Sequence, residues 1–223
     1  MSDMEFDVIT FDCYGTLIDW ESGIVGAFRD EASRDGIEMA PDRIIEAYME
    51  AEASVESGPY VPYREVLARS AVRVAERLGW DLRPERARFL PDSLPDWQPF
   101  PDTNAALERL ARRHRLGILS NVDDELLGGT LRHLRVSFDL IVTAEQVKSY
   151  KPGFAHFEEA GRRLRGSRQL HAAQSYFHDV VPARALNIPV VWVNRKGEQA
   201  TPGGPLPTKE VRDLTALADH LDA

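Results

Sequence analysis

Four short polar segments of this chain carry side chains that together could perform a displacement reaction. They are Asp12–Thr16 (D-C-Y-G-T), Ser120–Asn121, Lys151 and Ser175–Asp179 (S-Y-F-H-D), and they supply two carboxylates, one cation and several hydroxyl or amide donors. A carboxylate beside a lysine can attack carbon as a nucleophile, and backbone N–H groups can stabilise an anion. The residue types therefore indicate nucleophilic displacement at a site that also binds an anion.

Most of these segments follow short apolar runs that have the composition of buried strands, rich in β-branched and aromatic residues. The runs are Phe6–Phe11, Leu116–Leu119, Leu140–Val142, Leu170–Ala173 and Pro189–Val193. Helical patterns such as Asn104–Arg113 and Phe154–Leu164 separate most of them. This alternation predicts an α/β fold with a doubly wound, Rossmann-like parallel sheet, in which ligands bind beyond the carboxyl ends of the strands.

About a hundred residues without a convincing strand separate the first predicted strand from the second. The stretch shows helical spacing in four segments, with glycines between several of them. These segments are Gly23–Arg34, Pro41–Val55, Tyr63–Leu78 and Pro84–Phe89. We therefore expect residues 21–98 to form an inserted helical cap, and residues 1–20 and 99–223 to form the core. Residues 196–208 should form an exposed loop, and Val211–Leu221 a final helix.

Composition excludes several classes of protein. A chain of 223 residues that is 43% hydrophobic can build a substantial core, which excludes intrinsic disorder and collagen. A net charge of −9 without a basic stripe argues against nucleic-acid binding. A single cysteine, no Cys/His pair at zinc-ligand spacing and no apolar run of ~20 residues predict no disulfide, structural metal or membrane span. We expect a cytoplasmic protein whose partner is a small carboxylate, with a homodimer as a further option.

The four segments, in this order, resemble the motifs of the haloacid dehalogenase superfamily, and the resemblance covers essentially the whole chain. The successive intervals between Asp12, Ser120, Lys151 and Asp179 are 108, 31 and 28 residues. These intervals suit the superfamily core with a cap inserted after the first motif. One motif alone would be weak, whereas four in order are specific. The resemblance implies that Asp12 is a nucleophile.

Two positions separate phosphatases of this superfamily from dehalogenases. Phosphatases carry a second aspartate two residues after the nucleophile, where this chain has Tyr14, and usually an acidic metal ligand where it has Ser175. Because magnesium requires octahedral oxygen ligands, its site would be poorly supplied here. The pattern F-D-C-Y-G-T-L-I-D looks instead like type II 2-haloacid dehalogenases, which work without metal. We therefore predict neither a metal nor another cofactor.

This resemblance implies a role for each candidate residue. Asp12 would attack the carbon that bears the leaving group and form an ester, Lys151 would keep Asp12 ionised, and Asp179 would position or deprotonate the hydrolytic water. One hydroxyl and three backbone N–H groups would bind the substrate carboxylate, namely those of Ser120 and of Cys13, Tyr14 and Asn121. Thr16, Ser120 and Asn121 are further candidate catalytic residues, and Ser175 and His178 are further candidate substrate ligands.

The cap sequence departs from the dehalogenase pattern. Dehalogenases place an arginine on a cap helix to bind the departing halide, and counting along Ala47–Ala53 puts Met49 at that position. Three other segments are closer to azetidine-2-carboxylate hydrolase, a ring-opening relative on the same scaffold. These are Phe100–Thr103, Ser149–Pro152 and Ala173–Ala183. The leaving group, halide or ring nitrogen, therefore stays open at this point.

Met49 leads to a prediction about chloride release. One well-placed donor is worth ~2.7 to 4 kcal/mol in a transition state, so the rate on 2-chloropropionate should be lower by about two to three orders of magnitude without the arginine. Met49→Arg should raise that rate, because it supplies the missing donor for the departing halide. It should also depress any azetidine opening, because a ring amine that leaves protonated needs no anion donor and would be hindered by an arginine. Robust chloride release by the wild type, unchanged by the substitution, would contradict this placement of Met49.

Other functions fit the same residues. A phosphomonoesterase would depend on magnesium, and an inactive carboxylate-binding module would bind without turnover. Purely structural roles also stay open, because Ser, Asn and Asp after a strand often cap turns or helices. Ser120 and Asn121 could cap a helix that begins near Asp123, and Asp179 could cap the helix before Asn187.

Overall fold

The structure, a computed structural model, describes residues 6–222. The strands are β1 Val8–Phe11, β2 Arg115–Ser120, β3 Leu140–Thr143, β4 Gln169–Ala173, β5 Val190–Val193 and β6 Lys209–Val211. The helices are α1 Trp20–Ser33, α2 Pro41–Glu56, α3 Tyr63–Leu78, α4 Phe89–Ser93, α5 Thr103–Leu110, α6 Asp124–Thr130, α7 Ala144–Val147, α8 Ala155–Arg163, α9 Val181–Ala185 and α10 Leu214–Asp222. One six-stranded sheet has the order β3-β2-β1-β4-β5-β6, and each of its pairs is parallel. The predicted doubly wound α/β fold is confirmed.

The middle of the sheet positions the polar segments. All four residues of β1 and of β5 are buried, as expected for strands covered on both faces. In the register, Phe11 lies opposite Ile118 of β2 on one side and Ala172 of β4 on the other. The chain moves outward from β1 to β2 and β3 on one side, and to β4, β5 and β6 on the other. The carboxyl ends of β1 and β4 therefore flank a topological switch point, where α/β proteins bind ligands.

The chain divides into two compact units, and the first contains the sheet. It comprises residues 6–18, 99–121 and 133–222 of the described chain. The five predicted strands lie in it, but the sequence missed β6, a three-residue strand of which only Val211 is buried. The sequence predicts Val211 in the last helix, but that helix begins at Leu214. A short edge strand with exposed residues gives almost no hydrophobic pattern.

The second unit is helical and comprises residues 19–98 and 122–132. Residues 122–132 correct the predicted core range, because the Asp123 carboxylate accepts the N–H groups of Tyr63 and Arg64, at 2.8 Å each, at the start of α3. The segment Pro84–Arg88 is a 3₁₀ helix. Met49 lies on α2 and is 53% exposed. The role of this unit as a catalytic cap, and that of Met49, stay predictions.

No helix within residues 6–222 is long and apolar enough to cross a membrane.

Candidate active site

Lys151 links the two carboxylates that the sequence singled out. Its Nζ donates to Oδ1 of Asp12 at 2.9 Å, to Oδ1 of Asp179 at 2.6 Å and to the carbonyl oxygen of Leu119 at 2.9 Å. The lysine is only 2% exposed. An ammonium group has three N–H donors, so each has an acceptor here. The ion is therefore held in one place, beside the end of β1.

The loop after β1 orients the second oxygen of Asp12. Thr16 Oγ1 donates to Asp12 Oδ2 at 2.9 Å and accepts the N–H of Gln174 at 2.9 Å. Arg195, the second residue after β5, donates to the Thr16 carbonyl oxygen at 2.9 Å and forms an ion pair with Asp102 at 3.1 Å. Thr16 is thus fixed from both sides, and both oxygens of Asp12 carry a hydrogen bond.

Asn121 fixes the backbone of Lys151. Its Oδ1 accepts the Lys151 N–H at 2.7 Å, and its Nδ2 donates to the Lys151 carbonyl oxygen at 3.1 Å. The side chain of Asn121 is therefore already paired, whereas the predicted donor to the substrate carboxylate is its backbone N–H group. The neighbouring Ser120 hydroxyl is buried and has no hydrogen-bond partner among the described residues. The Ser120 hydroxyl can therefore still accept or donate a hydrogen bond.

Asp179 is fully buried and held through one oxygen. Its Oδ1 contacts Lys151 Nζ, as given above, and lies 3.0 Å from His171 Nε2. Nδ1 of the same imidazole lies 3.0 Å from Thr10 Oγ1. Oδ2 of Asp179 is buried and has no hydrogen-bond partner within the described part of the chain. One carboxylate oxygen is thus shared by two partners, and the other can still accept a proton.

The remaining candidate residues are Ser175, His178, Cys13 and Tyr14. Ser175 Oγ accepts the N–H of His178 at 3.0 Å and lies 3.1 Å from His178 Nδ1, so it caps the π-helical turn Tyr176–Val180. Both side chains are half-buried. Cys13 is buried, and Tyr14 is half-buried and forms a β-bridge with Ile18. The substrate-binding roles of Ser175, His178, Cys13 and Tyr14 stay predictions.

Burial and charge set the ionisation of the three central groups. Burial raises the pKa of Asp12 above its usual range, and the Asp179 charge adds to this, although Lys151 acts in the opposite direction. Burial acts on Asp179 in the same sense, but Lys151 and His171 hold its pKa well below the usual range. Burial would lower the pKa of Lys151, yet the two carboxylates raise it overall. At neutral pH the lysine is a cation, and Asp12 is the more basic carboxylate of the pair.

Within residues 6–222, no group of three or more His, Cys, Asp and Glu side chains is arranged to hold a metal ion. Tyr14 and Ser175 occupy the two positions at which phosphatases carry acids, as read from the sequence. Metal independence stays a prediction.

Comparison with known proteins identifies the family. A family model described as haloacid dehalogenase-like hydrolase matches residues 6–172, well over half of the chain. The chain is a haloacid dehalogenase-like hydrolase. This membership confirms the resemblance seen in the four motifs.

Two curated relatives match this haloacid dehalogenase-like hydrolase over nearly its full length. The (S)-2-haloacid dehalogenase H-109 of Pseudomonas putida is 30% identical over 219 residues, which are 96% of each protein. The (S)-2-haloacid dehalogenase of Pseudomonas sp. strain YL is 28% identical over 215 residues, covering 95% of this chain and 92% of the relative.

Solved structures share the fold of this haloacid dehalogenase-like hydrolase. The L-2-haloacid dehalogenase RSc1362 has a TM-score of 0.86 at 22% identity, over 99% of this chain and 100% of that one. The L-2-haloacid dehalogenase of Xanthobacter autotrophicus, solved with chloropropionic acid covalently bound, has a TM-score of 0.85 at 18% identity, over 98% and 99% of the two chains.

Sequence reasoning missed two residues of this hydrolase that contact the site. Arg195 is the second residue after β5, and polar residues near strand ends are candidates for the site, so its position in the chain could have indicated it. His171 lies inside β4, in Q-L-H-A-A, where an apolar pattern predicts a buried strand and gives no role to a polar residue. A buried polar side chain inside a strand, eight residues before Asp179, was the available signal.

Proposed function

We propose that this protein displaces the leaving group of a small 2-substituted carboxylic acid through an aspartyl ester, as a 2-haloacid dehalogenase. The observation that carries the proposal is the buried Lys151 ammonium, which joins Asp12 to Asp179. The names of the two full-length relatives support this substrate class. The covalently bound acid in the Xanthobacter autotrophicus structure supports a covalent intermediate.

In the first half-reaction, an oxygen of ionised Asp12 attacks C2 of the acid. A carbon–oxygen bond forms as the carbon–halogen bond breaks, and the halide leaves with the bonding electrons. Lys151 and Thr16 each hold one oxygen of the attacking carboxylate, at 2.9 Å, and so restrict its rotation. Alignment of this kind can supply ~7 to 11 kcal/mol of the barrier.

In the second half-reaction, water attacks the carbonyl carbon of the Asp12 ester. Asp179 takes the proton of the water through Oδ2, the oxygen without a partner among the described residues. Lys151, already 2.9 Å from Asp12 Oδ1, stabilises the negative charge that develops on the ester oxygen. Collapse of this adduct breaks the bond between the ester carbonyl carbon and the alkoxide oxygen. The alkoxide takes the proton back from Asp179 and leaves as the 2-hydroxy acid, and the Asp12 carboxyl releases the second proton of the water to solvent and is again a carboxylate.

The substrate carboxylate is the group that the backbone N–H donors after β1 and β2 should bind. The Ser120 hydroxyl is buried and unpaired among the described residues, so it can complete this set. A buried hydroxyl without a partner costs folding free energy, ~1 to 3 kcal/mol, unless a ligand or water satisfies it. We therefore assign Ser120 to the substrate carboxylate, together with the N–H groups of Cys13, Tyr14 and Asn121.

A small substrate panel tests the proposal and its alternatives. We expect the protein to release halide from 2-chloropropionate or 2-bromopropionate, or to open azetidine-2-carboxylate, with the rate unchanged by excess chelator. The ring-opening arm is included because no arginine lies between Arg43 and Arg64. Hydrolysis of a phosphate ester that is lost on chelation and restored by magnesium would contradict the proposal, and so would binding of these acids without turnover.

A further inference from the structure

A buried polar connection joins Asp179 to the interior of the sheet. His171 and Thr10 are register partners on β4 and β1. The imidazole lies 3.0 Å from Asp179 Oδ1 through Nε2 and 3.0 Å from Thr10 Oγ1 through Nδ1. Gln169 Nε2 donates to the same Thr10 hydroxyl at 2.9 Å. We call these three side chains, Thr10, His171 and Gln169, the strand relay.

Burying the polar imidazole of His171 costs folding free energy that an apolar residue with a purely structural role would not cost. Both His171 and Thr10 are fully buried. The imidazole packs edge-on against Phe157, with ring centroids 5.2 Å apart, and its strand neighbours are Leu170 and Ala172. An apolar residue would suit this environment without any need for hydrogen-bond partners. Here instead each ring nitrogen meets a polar side chain, which places an ordered network in the core.

The hydrogen bonds determine which ring nitrogen of His171 donates to Asp179. Asp179 is an ionised acceptor, because its pKa is held well below the usual range. Nε2 must therefore carry the hydrogen that is shared with Asp179 Oδ1. The Thr10 hydroxyl lies 3.0 Å from Nδ1 and 3.3 Å from the carbonyl oxygen of Leu170, and Gln169 donates to the Thr10 oxygen. The strand relay thus presents one fixed N–H donor to Asp179.

Two donors on the same oxygen fix the carboxylate plane. Lys151 and His171 both reach Oδ1 of Asp179, at 2.6 and 3.0 Å. With Lys151 alone, the carboxyl group could turn about its Cβ–Cγ bond and present either oxygen to the ammonium. The second donor removes that freedom and keeps Oδ2 for another partner. In the proposed reaction that partner is the hydrolytic water.

We propose that His171 is a positioning residue for the second half-reaction, in which the Asp12 ester is hydrolysed. This inference rests on the proposed function, since it needs the ester to exist. His171 itself touches neither substrate nor Asp12. The proton of the water still goes to Asp179 Oδ2, and the imidazole gives up no proton in the step. The first half-reaction uses Asp12 and Lys151, so it should not depend on His171.

A matched pair of variants tests this role. In His171→Gln, the side-chain amide can reach the position of the imidazole Nε2 and donate to Asp179. In His171→Met, a side chain of similar length offers no donor. Single-turnover reactions with 2-chloropropionate, or azetidine-2-carboxylate if that is the better substrate, would be quenched at intervals. Loss of substrate would measure ester formation, and intact-protein mass spectrometry would measure the esterified fraction.

For His171→Met we expect ester formation within about threefold of the wild-type rate. Ester hydrolysis should be slower by about 10- to 100-fold, which is the usual loss when a hydrogen-bond partner that orients a functional side chain is removed. The esterified protein should therefore accumulate. His171→Gln should recover most of the hydrolysis rate. Equal slowing of both half-reactions, or hydrolysis at the wild-type rate in His171→Met, would overturn the role of His171.

Thr10→Val provides an independent test if His171→Met does not fold. It removes the hydroxyl bound to Nδ1 with little change in volume, and it should slow ester hydrolysis alone, by a smaller factor. Unchanged hydrolysis in a folded Thr10→Val would then overturn the proposal. Failure of the wild type to form any ester would instead overturn the proposed function, and intact mass distinguishes the two results.

Discussion

Asp12→Asn should abolish turnover and leave the fold intact. The amide has nearly the same size as the carboxylate, but it is a poor nucleophile, and loss of a nucleophile costs at least about three orders of magnitude in rate. Because burial raises the pKa of Asp12, its ionised form disfavours folding at neutral pH. The free energy of unfolding should therefore not fall in the variant. Halide or ring-opening assays and urea unfolding would measure both effects.

Asp7→Asn is the matched control for this substitution. Asp7 precedes β1 as Asp12 follows it, and its carboxylate pairs with exposed Arg168 at 3.0 Å. The same chemical change should leave the rate within about twofold of wild type, because a surface ion pair contributes little. More than a few per cent of activity in Asp12→Asn, with deamidation excluded by mass spectrometry, would remove Asp12 from the role of nucleophile.

The parallel sheet and the central residues could be predicted because one rule governs both. Residues that follow parallel strands converge at one edge, so Asp12 and Ser120 were found from short apolar runs alone. Lys151 lies eight residues beyond β3, so its position a little downstream of a strand made it a candidate but did not place its side chain beside Asp12. Asn121 locates it in the structure, through two hydrogen bonds to its backbone, and that pairing has no signature in the sequence.

The features that could not be predicted depend on contacts between distant parts of the chain. Asp123 lies with the helical unit because it binds the start of α3, 60 residues earlier. His171 becomes a candidate for the site only through its hydrogen bonds to Asp179, on the following turn, and to Thr10, 161 residues away. A hydrophobic pattern reports which face of an element is buried, but it does not report which buried polar groups meet. That information appears only once the register of β1 and β4 is known.

Lys151→Met should cause the largest combined loss, in stability and in activity. Its ammonium is the common partner of Asp12 and Asp179, so its removal leaves two buried carboxylates without their cation. Breaking a buried ion pair in this way typically costs ~3 to 5 kcal/mol of unfolding free energy. Loss of the charge that stabilises the ester oxygen should lower the rate of the folded fraction by about 10²- to 10³-fold. Urea unfolding and single-turnover rates would measure the two losses.

The pH dependence gives the sharper test of Lys151. The two carboxylates raise the pKa of the lysine, so its stabilising charge is present at neutral pH and is lost only at high pH. Lys151 also lowers the pKa of Asp12, against the effect of burial. Without the lysine, Asp12 should bind its proton more tightly, and the acidic limb of the rate profile should move to higher pH. Lys209→Met, which removes an exposed lysine on β6, should move neither the limb nor the stability. An acidic limb that stays in place in Lys151→Met would mean that another group sets the ionisation of the nucleophile.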